Sequence, residues 1–95
     1  MSDEAELDAF AIVLVQAEAV KRGVLTMWTI YKRPKDYPIG FVARMFEAAG
    51  PEPKATAMSM KSVTLEPIRE KLAKAGLVCL TRSPDDEPQI VETWL

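Results

Sequence analysis

The five-residue pattern P-x-D-x-P occurs twice in this chain, as Pro34-Lys35-Asp36-Tyr37-Pro38 and as Pro84-Asp85-Asp86-Glu87-Pro88. Each copy lies between two short runs of β-branched, aromatic and aliphatic residues. Proline cannot donate to a ladder, so pairing lapses at both ends of the pattern. An aspartate that accepts from the backbone two residues on favours a turn between them. The pattern therefore predicts two β-hairpins. In the first, Met27 to Arg33 goes out and Phe41 to Phe46 returns. Alternation puts Trp28 and Ile30 on one face, with Met27, Thr29 and Tyr31 on the other. On the return strand Phe41, Ala43 and Met45 share one face, and Val42, Arg44 and Phe46 the other. In the second hairpin Leu77 to Arg82 is followed by Ile90 to Leu95.

A helix is predicted at 65–75. Leu65, Ile68, Leu72 and Ala75 recur at spacings of three, four and three, which makes one apolar stripe. Thr64 is a fitting N-cap, Pro67 is tolerated in the first turn, and Gly76 supplies a left-handed end. Gly50-Pro51-Glu52-Pro53 reads as a loop, and Thr56 to Lys61 alternates as a short edge strand, although methionine and alanine are poor strand formers. The N-terminal segment has two readings. Leu7, Phe10, Ala11 and Leu14 make a helical stripe, and the alanines favour a helix ending at Gly23. Ile12, Val13 and Val15 are apolar on the other sides, so a strand from Ala9 to Val15 competes. With the helix, the chain reads helix–hairpin twice, through duplication or through turn chemistry alone.

The predicted fold is α+β: a small antiparallel sheet of two β-hairpins, about 27–46 and 77–95, with a helix at 65–75 on one face. An N-terminal helix of open status precedes it. Residues 27–95 form one domain and 1–26 an extension.

The chain has 95 residues, one cysteine and no histidine. An intrachain disulfide, a histidine-ligated metal and a histidine base are therefore excluded. A lone cysteine suits a reducing cytoplasm. The longest apolar run, Ala9 to Val15, is far too short to span a membrane. Net charge is −2, with five acids against two bases in residues 1–26. Residues 27–95 hold ten bases and nine acids, not the strongly positive field of a dedicated nucleic-acid binder.

Met27-Trp28-Thr29-Ile30-Tyr31, the Arg33-Pro34-Lys35-Asp36-Tyr37-Pro38 that follows, Val42-Ala43-Arg44 and the stretch from Ser83 to Leu95 together resemble a family of short bacterial proteins. The resemblance covers residues 27–95. Members often begin at the equivalent of Met27 and carry no established activity. It implies a bacterial cytoplasmic setting and nothing catalytic. Residues 1–26 are then either an extra helix that covers a sheet face or mediates assembly, or a stretch ahead of a natural start at Met27.

The candidate ligand site is the first turn: Lys32, Arg33 and Lys35 with Tyr31 and Tyr37 beside them. Basic and aromatic groups together suit a phosphate or a single nucleic-acid strand. The competing reading is a charged hairpin tip that keeps a sheet edge soluble. Asp85, Asp86 and Glu87 read as a solvated turn, and Cys79 as a small buried hydrophobe. Arg44 and Glu92 hold comparable places on the two returning strands, which suits an ion pair. No nucleophile–base motif, metal site or cofactor loop is present. The expectation is a non-enzymatic protein-interaction module without a cofactor. Self-association as a homodimer is expected through strand or sheet-face contacts, alongside an unidentified protein partner. A nucleic-acid or phosphate-binding accessory role at the first turn is the alternative.

Overall fold

The computed structural model describes residues 8–48, 50–80 and 88–95. Its elements run α1 (Ala9–Lys21), β1 (Leu25–Lys32), β2 (Phe41–Ala48), β3 (Lys54–Ser62), α2 (Glu66–Lys74), β4 (Cys79–Leu80) and β5 (Ile90–Trp94). The five strands form one sheet in the order β3-β2-β1-β5-β4, and every neighbouring pair is antiparallel. The fold is α+β, as the sequence predicts. The helix–hairpin order occurs twice, with β3 inserted between the copies. The second P-x-D-x-P lies outside the described residues except for its last proline.

Within the N-terminal segment, Ala9–Lys21 is a helix. Its N-cap is Asp8, whose carboxylate accepts from Ala11 N–H at 2.9 Å. Both helices end in the same way. Gly23 takes φ +75° and Val24 N–H reaches back to Ala19 O at 2.9 Å. Gly76 takes φ +91° and Leu77 N–H reaches Leu72 O at 3.1 Å. This left-handed glycine cap satisfies orphan carbonyls and turns the chain straight into the next strand. The start of α2 differs from expectation. Its N-cap is Leu65, not Thr64, and no side chain caps it. Leu65 packs against the core, and its carbonyl accepts from both Ile68 and Arg69 N–H at 3.1 Å.

β1 is the central strand. Trp28 lies opposite Met45 on one side and Trp94 on the other, and Ile30 opposite Ala43 and Glu92. These residues point to the helices. Trp28 and Ile30 are fully buried with Ile12 of α1 and with Ile68 and Leu72 of α2. Gln16 of α1 fixes the indole, since its Oε1 accepts from Trp28 Nε1 at 3.2 Å and from Thr26 Oγ1 at 2.8 Å. Arg22 ties the end of α1 to β2 by donating to Glu47 at 2.8 Å and to Glu18 at 3.0 Å.

Both helices thus cover the same sheet face. The opposite face carries Met27, Thr29 and Tyr31 of β1 with Val42, Arg44 and Phe46 of β2. β3 is longer than the predicted edge strand. It bulges opposite Met45, because Arg44 pairs with Ser59 while Phe46 pairs with Ala55. Thr56 fills the irregularity: its hydroxyl donates to Met45 O at 2.9 Å, and its carbonyl accepts from Arg44 at 2.9 Å.

The α2 face yields a stability prediction. Leu72 is fully buried and Lys74 is exposed. Leu72→Ala should cost about 2–5 kcal/mol in urea unfolding, and Lys74→Ala almost nothing. Equal losses would mean that α2 does not dock through this face.

Candidate functional site

The first turn closes the end of the β1–β2 hairpin. Lys32 ends β1 opposite Phe41, and its N–H donates to Gln89 O at 2.7 Å, so the start of the last strand lies beside the turn. Arg33 adopts φ 51°, the one non-glycine left-handed residue among those described, and donates its N–H to Gly40 O at 2.7 Å. Tyr37 N–H closes the turn onto Pro34 O at 2.9 Å. Gly40 is required here: a Cβ at this position would lie 2.4 Å from Ser62 O, so the turn sits directly on the end of β3.

That packing places the candidate residues. Lys32, Arg33 and Lys35 are exposed, while Tyr31 and Tyr37 are half-buried. Tyr31 faces away from the helices, on the sheet's open side. β3 adds a residue the sequence reading did not include: Lys61 Nζ lies 5.5 Å from the centre of the Tyr37 ring. The ring is therefore already covered by a cation on that side. The partner came from a strand 24 positions away, beyond the reach of local spacing.

A second polar cluster lies under α2. Glu92 of β5 is nearly buried. Its Oε2 accepts two N–H bonds from Arg69, the Nε one at 2.9 Å, and its Oε1 accepts from Trp94 Nε1 at 2.9 Å. Glu92 thus pairs with Arg69 of α2. The expected match with Arg44 fails because Arg44 lies on the opposite sheet face, engaged with the Thr56 carbonyl. Burial disfavours the Glu92 charge, but the hydrogen bonds from Arg69 and Trp94 outweigh it and hold the carboxyl below the usual range. The Glu92 bond likewise raises Arg69.

Cys79 corrects a second expectation. It is exposed, because β4 is a two-residue strand at the sheet edge. Partial burial of the thiol and the Glu92 charge nonetheless push it up, away from the reactive thiolate form. Among the described residues, no buried side-chain nitrogen or oxygen lacks a partner.

The third feature is the outer face of α1. Ile12 and Ala19 face inward, fully buried, with Val15 packed at their side. On the other side Phe10, Val13, Leu14 and Val20 are 70, 43, 54 and 73% exposed. Positions 10, 13, 17 and 20 repeat at spacings of three, four and three, which defines a second apolar stripe. The two stripes together erased the one-sided periodicity that marks an ordinary surface helix.

Comparison with known proteins returns no match: no family model, no curated protein and no solved structure aligns with this chain. Among the described residues, no helix is long and apolar enough to cross a membrane.

The Glu92 pair sets a pH dependence. A carboxyl lowered in the folded state stabilises it fully above the unfolded value, about pH 4.3, and that contribution disappears as pH falls through the folded value. Wild type should melt above Glu92→Gln near neutral pH, and the gap should close on acidification below about pH 4.3. A gap that stays constant down to the acid limit would contradict the assignment.

Proposed function

We propose that this chain is a protein-interaction module without catalytic activity, acting in a bacterial cytoplasm as a homodimer. The observation that carries the reading is the outer stripe of α1. A soluble monomer seldom keeps a contiguous apolar strip on its surface without a use for it. The polar clusters support the same reading. The Glu92 oxygens are engaged by Arg69 and Trp94, and the raised Cys79 thiol has no histidine to activate it. The lone cysteine and the resemblance over residues 27–95 support the setting.

A phosphate or single-stranded nucleic-acid role for the first turn is the second reading. Lys61 favours it, as a further cation at the Tyr37 ring. The overall charge of −2 and the ring already covered at Tyr37 weigh against it. Salt-sensitive retention of a labelled single strand would support it.

Light scattering after gel filtration tests the dimer. The whole chain should shift from the mass of one chain to that of two as its concentration rises to about 100 μM. A single-chain mass throughout would overturn the proposal.

A further inference from the structure

We propose that the homodimer forms through α1, which packs antiparallel against α1 of a second copy with residues i and 30 − i side by side. The inference rests on the dimer reading above and names its surface.

Two surfaces compete for the role, and exposure separates them. The open sheet face shields much of itself: Thr29 and Val42 are only 7 and 4% exposed on it, and Met27, Tyr31 and Phe46 are half-buried. Thr29, Arg44 and Ser59 also run across its middle, since Thr29 pairs with Arg44 and Arg44 with Ser59. The outer stripe of α1 has no such cover. Its large residues stand well out of the surface, with Ala17 between them.

The stripe complements itself about a two-fold axis. With the axis crossing the outer face midway between Val13 and Ala17, Phe10 of one copy meets Val20 of the second, and Val13 meets Ala17. Larger side chains thus face smaller ones, as interdigitated packing requires. The spacing is that of an antiparallel coiled-coil seam. Opposed helix dipoles then lie side by side, and Lys21 of the second copy comes to the Asp8 end of the first.

The neighbouring groove poses no electrostatic barrier. It runs between α1 and α2 beside Phe10 and carries Asp8 and Glu70 against Lys71 and Lys74. These charges cancel, and the incoming helix end carries Glu18, Lys21 and Arg22, which are likewise of both signs. A symmetric interface of one sign would repel itself.

Area sets the strength. A helix of 13 residues is about 20 Å long. One such helix pair falls short of the roughly 800 Å² per partner of a standard stable interface. The dimer is therefore weak and depends on concentration.

Charge exchange along the register is the test. All variants are made in the whole chain and read by light scattering across the same concentrations as wild type, with tryptophan fluorescence reporting the fold. Phe10→Glu and Val20→Lys lie at exposed positions and should each remain monomeric with native fluorescence. The double variant should dimerise again, because Glu at 10 then faces Lys at 20 of the second copy. Leu25→Lys and Val78→Lys, away from the stripe, should dimerise like wild type.

Single variants that still dimerise, or a double variant that stays monomeric while folded, overturn the antiparallel pairing. Loss of the dimer only in Leu25→Lys or Val78→Lys gives the interface to the sheet and leaves the dimer reading standing. A monomeric wild type overturns both. If that monomer binds lipid vesicles through Phe10 and Val20, the stripe's occupant is a membrane surface instead.

Discussion

The Trp28 indole must be covered above the sheet and its N–H must find a partner, and both helices are placed by that need. The ring sits on the central strand, fully buried, between Met45 and Trp94 on the neighbouring strands. α1 supplies cover and partner, with Ile12 packed into the same core and Gln16 accepting the indole proton. α2 completes the cover with Ile68 and Leu72. α1 is thus built into the core, and its removal would strip one side of the indole and leave its N–H without Gln16.

That arrangement determines what remains outside. Among the described residues both helices lie on one sheet face, and the same helix that closes the core turns a second apolar stripe outward. A small domain buries a modest fraction of its surface, and this chain has neither a disulfide nor a histidine metal site to reinforce it. Association is the remaining route to further burial. In the proposed dimer, the helix that completes the core is also the surface of contact.

Much of the fold was legible because local chemistry and tertiary packing agree. Alternation put Trp28 and Ile30 together on one face of β1 without saying that it was the core face, and the spacing of Ile68 and Leu72 marked the buried face of α2. Gly76 fixed the end of α2 for the reason its φ confirms. Three points were less legible. α1 carries two stripes, so periodicity alone could not separate helix from strand. β3 forms nine residues of edge strand from alanines, methionines and polar residues, because pairing with β2 outweighs weak propensity. The partner of Glu92 was hidden because Arg69 lies 23 positions away on a helix whose placement the sequence does not specify. The candidate turn residues are neighbours in the chain and could be grouped from it, whereas Lys61 and the close approach at Gly40 required the third strand.

α1 belongs to the cooperative core, which amide hydrogen exchange in the native state can measure residue by residue. Amides of Val15, Gln16 and Ala19 should open only with the global unfolding that exposes Trp28 and Ile30, at the same free energy within about 1 kcal/mol. Exchange of the α1 amides through a separate opening of much lower free energy, with β1 still protected, would show instead that α1 is an appended helix outside that core.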